Sequence, residues 1–326
     1  MISGILRRVI KMCTAFRTNS YFGRNLDLDI SFGESVIITP KKFPFNFRKV
    51  FPQNKHFAII GIGTISDGYP LYYDAMNEMG LCMAGLNFPD NAYFPPIQKN
   101  ERCIGPFELI PYVLGKCSTV TECVDLIRGI SIADIHFSEK FPNTPLHWIV
   151  ADKEKSVVIE PLKDGLKIHE NPTDTLTNNP PFDYHLTNLS NYMSVTSDEI
   201  KNRFSQKIKL TPYSRGMGGL GLPGDLSSAS RFVRGAFTLL NSTEDNLSQF
   251  FHILTSVEQQ KGSVQVGKNY EYTLYSSCYD MKEKVCFYTT YENRQISAVH
   301  LYREDLTKDE LVSYPLKNKE EILYIN

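Results

Sequence analysis

The residue pair Met12-Cys13 opens one line of chemistry. A cysteine within a strand is ordinarily a small buried hydrophobe. The preceding methionine allows a second use. If translation starts at Met12 and that methionine is removed, Cys13 becomes the N-terminus, and a small residue after methionine favours the removal. A free α-amine has a pKa of about 7.7–8. It can take the proton of its own residue's thiol and act as a general base near neutral pH. Such a nucleophile needs a cation beside its thiolate. It also needs a carboxylate to orient the amine and two donors for the oxyanion that forms on the attacked carbonyl. Arg24 and Asp27 follow closely, in Tyr21-Phe-Gly-Arg-Asn-Leu-Asp27. A tight turn at Thr18-Asn19-Ser20 would pair the strand of Cys13 with that of Arg24. The competing use of Arg24 and Asp27 is a surface ion pair, which is common and weak.

Other chemistries find little support. There is no HExxH, GxSxG or P-loop. The histidines His56, His136, His147, His169, His185, His252 and His300 show no metal-ligand spacing, so no metal is expected. Gly216-Met-Gly-Gly-Leu-Gly221 matches the dinucleotide fingerprint in letters only, because no strand precedes it and Pro223 follows at once. No cofactor is expected. The seven cysteines are odd in number and contain no CxxC pair, which argues against a disulfide framework and suits a cytoplasmic protein. Lys+Arg is 35 against Asp+Glu 36, so nothing calls for a nucleic-acid partner. No apolar run approaches the roughly 20 residues that span a bilayer, and membrane insertion is not expected. Hydrophobic residues at 42% and charged residues at 22% fit a soluble globular chain.

The elements that must position Cys13 read mostly as strands. Val36–Thr39, Phe57–Ile65, Leu81–Leu86, Leu146–Ala151, Ser156–Glu160, Glu271–Ser276, Val285–Tyr291 and Ala298–Tyr302 are rich in β-branched or aromatic residues and bounded by turn formers. Helical periodicity appears at Gly105–Gly115, Thr119–Gly129, Ser228–Leu240 and Thr243–Ser256. Strands, then helices, then strands predict an α+β layered domain. No linker or internal repeat divides the chain. Residues Asp183–Gly224 are polar and rich in Tyr and Gly, and read as a long irregular arm. Residues 1–12 read as a short leader or a misassigned start. The charges Arg7, Arg8 and Lys11 follow the apolar stretch instead of preceding it, unlike a secretory signal.

Several longer stretches resemble one family. Met12-Cys-Thr-Ala, Phe22-Gly-Arg-Asn-Leu-Asp27, Ile38-Thr-Pro-Lys and Phe43-Pro-Phe are similar to the start of choloylglycine hydrolases, which include bile salt hydrolases and penicillin V acylases. The resemblance continues through Asn77-Glu-Met-Gly-Leu, Ala84-Gly-Leu-Asn-Phe-Pro89, Pro145-Leu-His-Trp148 and Leu176-Thr-Asn-Asn-Pro180. It ends with Gly221-Leu-Pro-Gly-Asp225, Ser230-Arg-Phe-Val-Arg234, Phe250-Phe-His-Ile-Leu254 and Tyr275-Ser-Ser-Cys278. It implies an αββα sandwich of the N-terminal nucleophile hydrolase type, with residues 13–326 as a single domain. It implies Cys13 as nucleophile, Arg24 beside the thiol and Asp27 at the α-amine. Asn87 and Asn178 would be the oxyanion-side asparagines and Arg231 the second active-site arginine. The implied substrates are glycine- or taurine-conjugated bile salts, and the implied assembly is a homotetramer.

The positions matching the family's pocket loops are Leu26, Phe32, Ser66, Phe137, Phe141 and Leu146. Five of the six are apolar, as a steroid pocket requires. Asn87 favours bile salts, since the penicillin acylases typically carry tyrosine there. The Cys13–Arg24 hairpin is several residues shorter than is usual in the family, and a shortened hairpin loses its tip before its base. The competing readings are a penicillin V acylase or other N-acyl amide hydrolase, and a steroid-binding protein without catalysis. A chain that keeps residues 1–12 has an amide where the base should be and is expected to be inactive.

Overall fold

The computed structural model describes residues 12–97, 102–139 and 141–326. Apart from Met12, the expected leader lies outside these described residues. In chain order the first strands are β1 (Met12–Arg17), β2 (Tyr21–Leu28), β3 (Ser35–Thr39), β4 (Ile59–Ser66), β5 (Tyr69–Asn77), β6 (Cys82–Asn87) and β7 (Cys103–Ile104). Helices α1 (Leu109–Leu114) and α2 (Val120–Arg128) follow, then β8 (Ser131–Ile132), β9 (Leu146–Ala151), β10 (Ser156–Leu162), β11 (Gly165–Glu170) and β12 (Thr175–Leu176). Helices α3 (Phe182–Leu189), α4 (Ser228–Leu240) and α5 (Leu247–Thr255) precede β13 (Val264–Val266), β14 (Asn269–Asp280), β15 (Val285–Thr290), β16 (Ser297–His300) and β17 (Val312–Pro315).

Two large sheets stack face to face. The first runs β12-β1-β2-β14-β15-β16, with β13 on β14, and the second runs β11-β10-β9-β6-β5-β4-β3-β17. Ala15, Phe22, Leu26, Ile38, Ile60, Ile62, Ala84 and Ile149 fill the space between them. Helices α1 and α2 cover the outer face of the second sheet, packing Val113, Cys123 and Ile127 on Ile59, Met83 and Val150. Helices α4 and α5 cover the first sheet, where Leu239, Phe250, Ile253 and Leu254 meet Phe16 and Cys278. The layers are therefore αββα. With helices outside and a second sheet inside, central strands have no solvent face, which is why β6 reads as an unbroken Cys-Met-Ala-Gly-Leu run. Among the described residues, no helix is long and apolar enough to cross a membrane.

Local chemistry fixes the ends of the elements. Thr119 caps α2 by accepting from the Glu122 N–H, and Glu122 reaches back to the Ser118 N–H. The Gly105–Gly115 stretch divides into a 3-10 turn at Pro106–Glu108 and α1 proper. Helix α5 begins only after Asn246, whose side chain accepts from the Gln249 N–H and leaves Thr243 outside the helix. The irregular reading of Asp183–Gly224 is corrected at its start, where α3 forms directly after Pro181. A 3-10 turn at Ser190–Tyr192 follows, and the rest of that segment is turns and mostly exposed coil. Gly216–Gly221 sits in it as a 3-10 turn, with Gly216 at φ +73°.

Candidate active site

Strands β1 and β2 form a hairpin, closed by a hydrogen bond from the Thr18 N–H to the Tyr21 carbonyl at 2.8 Å. Its register sets Cys13 opposite Leu26, Ala15 opposite Arg24 and Met12 opposite Asp27. Alternation along a strand then divides the side chains. Cys13 and Leu26 face the space between the sheets, while Thr14 and Asp27 meet Arg231 of α4 on the other side. Gly23 holds β2 close to β14, since a Cβ there would lie 1.9 Å from the Ser277 carbonyl oxygen.

Cys13 is 3% exposed. Burial pushes its thiol pKa up, while Arg24 and a hydrogen bond from the Asp27 N–H pull it down. Arg24 crosses from the first sheet to the second. Its Nη1 donates to the Gly85 carbonyl at 2.7 Å and the Tyr73 carbonyl at 3.2 Å, and Nε lies 4.0 Å from the Asp74 carboxylate. Burial opposes its charge, but Cys13, Tyr275, Asp74 and Asp27 together hold its pKa above the ordinary value. Its Nη2 makes no hydrogen bond among the described residues.

Arg231 is committed to the protein itself. Nε donates to the Leu226 carbonyl at 3.0 Å, Nη1 to the Cys13 carbonyl at 2.7 Å and to Thr14 Oγ1, and Nη2 to Asn178 Oδ1 at 2.8 Å. Asn178 Oδ1 also accepts from the Cys13 N–H at 2.9 Å, and its Nδ2 donates to the Asn87 carbonyl at 2.8 Å. These contacts tie β1, β6, the loop after β12 and α4 around one backbone position. Asp27 accepts from Thr273 Oγ1 at 2.6 Å and Gln259 Nε2 at 3.0 Å, and lies 4.0 Å from Arg231 Nη1. Burial raises its pKa to about 6 against the pull of Arg231, Thr273 and Arg24.

A cavity of about 300 Å³ opens on the thiol. Cys13, Arg24 and Asn87 line it, together with Leu26, Phe32, Ser66, Phe137, Phe141 and Leu146. Asp27, Asn178 and Arg231 do not reach it. They stand behind Cys13, on its backbone side. The volume matches the lower end of small-molecule pockets, which run at about 300–1,000 Å³. Phe137 packs edge-on against Phe107 and Phe141, at ring-centroid distances of 5.3 and 6.1 Å, and so builds one aromatic wall.

Sequence reasoning missed several residues here. Tyr73 lines the cavity from β5, a strand that Pro70 and Asp74 hid from pattern reading. His147 and His185 are fully buried and donate to the carbonyls of Thr177 at 2.9 Å and Asn178 at 3.0 Å, fixing the loop that carries Asn178. Burial lowers the His185 pKa to about 4, so it is neutral at physiological pH. Glu271 accepts from the Met12 N–H at 2.5 Å. Burial, with Asp27 nearby, pushes its pKa up to about 8. No local sequence signal marks these residues, because each reaches the site through tertiary packing alone.

The layers and the strand position of Cys13 define the N-terminal nucleophile hydrolase architecture. The family model for linear amide C–N hydrolases, choloylglycine hydrolase family, matches residues 12–314. The chain belongs to the choloylglycine hydrolase family. It is 55% identical to a bile salt hydrolase/transferase of Lactiplantibacillus plantarum, over 97% of this chain and 100% of that one. A crystal structure of a cysteine-to-alanine mutant of conjugated bile acid hydrolase from Clostridium perfringens superposes with TM-score 0.90 at 35% identity, over 97% of this chain and 100% of that one. A penicillin V acylase from Agrobacterium tumefaciens shares the fold at TM-score 0.73 and 17% identity, over 93% of this chain and 90% of that one.

Proposed function

We propose that this chain hydrolyses the amide bond of glycine- or taurine-conjugated bile salts, with Cys13 as an N-terminal nucleophile once the residues before it are gone. The observation that carries the reading is the meeting of Cys13, Arg24 and Asn87 at one end of a largely apolar cavity. The similarity to hydrolases named for bile salts and conjugated bile acids supports the substrate class.

In this reading the freed α-amine takes the thiol proton, and Arg24 stabilises the thiolate. Sulfur attacks the amide carbon, and the charge that develops on oxygen is met by Asn87, which lines the cavity and whose carbonyl Asn178 holds from behind. The α-ammonium returns its proton to the departing nitrogen as the C–N bond breaks, releasing glycine or taurine. Water then loses a proton to the amine and attacks the thioester, and Cys13 sulfur leaves. Asp27 and Asn178 orient the amine, while Arg231 fixes Asn178 and the Cys13 carbonyl. Leu26, Phe32, Ser66, Phe137, Phe141 and Leu146 receive the steroid.

Release of glycine from glycocholate and taurine from taurocholate, compared with turnover of penicillin V, tests the substrate. Preferential turnover of penicillin V would make the chain an acylase of that kind. Steroid binding without release, by a chain with a free Cys13 amine, would make it a binding protein. A Cys13→Ala variant as active as its parent would end the nucleophile reading. We further place the protein in the cytoplasm, on the strength of an odd number of cysteines with no CxxC pair. We read it as a homotetramer whose Asp183–Gly224 arm presents Met193, Phe204 and Tyr213, each more than 80% exposed. Light scattering tests the assembly.

A further inference from the structure

Two oppositely charged side chains cross the gap between the sheets in opposite directions. Arg24 leaves β2 and grips the carbonyls of Tyr73 on β5 and Gly85 on β6. Asp74 leaves β5 and is met by three hydroxyls of β14. Ser277 Oγ and Tyr279 OH each donate to Oδ2 at 2.7 Å, and Tyr275 OH donates to Oδ1. Between them, Arg24 Nε lies 4.0 Å from Asp74 Oδ1. Both residues are fully buried. Three O–H donors converging on one carboxyl suit a carboxylate, which only accepts. A bulge makes the crossing possible. Ile62 pairs with Asp74 and Gly63 with Tyr72, leaving Tyr73 unpaired. Tyr73 can thus line the cavity while its neighbour Asp74 points inward as well.

We propose that Asp74 is the standing counter-ion of Arg24, a positioning residue that sets how much of the guanidinium charge the Cys13 sulfur feels. The proposal rests on Cys13 as nucleophile. When sulfur is a thiolate, it shares the Arg24 charge. When sulfur is acylated it is neutral, and Arg24 would stand uncompensated in a buried site. Asp74 supplies the missing charge in that state. It also keeps the thiolate from being overstabilised, and an overstabilised thiolate attacks weakly and leaves readily. Arg24 is faced by Cys13 on β1, Asp27 on β2, Tyr73 on β5 and Tyr275 on β14, with Glu34 beyond the two tyrosines. Asp74 is faced by Tyr275 and Tyr279 on β14, Cys82 on β6 and Cys286 on β15. Burial raises the pKa of each of those thiols and tyrosines, and that of Asp74 too, against the downward pull of Arg24 and of the hydroxyls of Tyr275, Ser277 and Tyr279. The thiols and tyrosines are therefore neutral at pH 7, and the hydroxyls that converge on Asp74, with Arg24 beside them, hold it as the carboxylate facing the guanidinium.

The test is the pH dependence of Cys13 alkylation by iodoacetamide in the processed full chain, with kcat and KM for glycocholate alongside. Asp74→Asn is expected to lower the thiol pKa by about one unit, the low end of what a neighbouring charge does, while kcat falls about tenfold and KM holds. Loosened packing alone would not lower both together. Tyr275→Phe removes one donor from the carboxylate, concentrates its charge toward Arg24 and is expected to raise the thiol pKa. An unmoved or raised pKa in a folded Asp74→Asn variant overturns the proposal. If that variant does not fold, an unmoved pKa in Tyr275→Phe overturns it. A parent chain that still hydrolyses glycocholate after complete Cys13 alkylation overturns the nucleophile reading, and the proposal with it.

Discussion

Replacing Asn178 with alanine removes three hydrogen bonds at the centre of the site. The Cys13 N–H and Arg231 Nη2 lose their acceptor, at 2.9 and 2.8 Å, and the Asn87 carbonyl loses a donor at 2.8 Å. All lie in buried surroundings. A neutral hydrogen bond is worth about 1 kcal/mol and one to a charged group about 1.5–3 kcal/mol. The stability loss should thus be about 3.5–5 kcal/mol, which all but the least stable domains of about 5–15 kcal/mol survive. Catalysis should suffer separately. Asn178 holds the Asn87 carbonyl in place, and a misplaced Asn87 costs up to what loss of an oxyanion donor does, about 10²–10³ in kcat or roughly 2.7–4 kcal/mol. Asn178→Asp separates the two effects. It keeps acceptors for Cys13 and Arg231 but sets a carboxylate oxygen against the Asn87 carbonyl, so urea unfolding should show a loss of about 1–3 kcal/mol, smaller than that of the alanine variant, while kcat for glycine release still falls by about 10²-fold. A folded Asn178→Asp variant with kcat within threefold of the parent would refute the donor role.

Arg231→Lys should lower stability by about 2–3 kcal/mol in urea, because an ammonium cannot span Leu226, Cys13, Thr14 and Asn178 as the planar fork does. Gly23→Ala should cost about 2–3 kcal/mol or block folding, since its Cβ meets the Ser277 carbonyl and must part β2 from β14. Glu271 has a folded pKa raised from 4.5 to about 8. The stability it confers is complete below pH 4.5 and is lost as pH rises to 8. Glu271→Gln has no such titration. Thermal unfolding across that window should show the parent losing on the order of 5 kcal/mol relative to the variant, and parallel curves would contradict the burial argument.

What the sequence revealed follows from what local chemistry can encode. Strand β9 and helix α4 coincide with their sequence-based readings, because an apolar run broken only by His147 and a strong 3.6-residue period leave little choice. The Thr119 cap of α2 was legible for the same reason. Strand β5 was not. Its charged Asp74 is tolerable in a buried strand only because three hydroxyls from the other sheet meet it, and no neighbour in sequence announces that. Cys13, Arg24 and Asp27 could be read from one hairpin. Asn87, Asn178 and Arg231 come from distant elements, and only family resemblance singled them out beforehand. Tyr73, His185 and Glu271 lacked even that, and His147 lay inside a resembling stretch without a role attached to it.

The central claim is that the Cys13 amine is the base. The most direct test prepares two forms of the chain, one beginning at Cys13 and one retaining Met12, confirms each by intact mass, and measures glycine release from glycocholate. Release by the Cys13 form alone is the predicted result. Equal release by the form in which Met12 still occupies the amine would contradict the account.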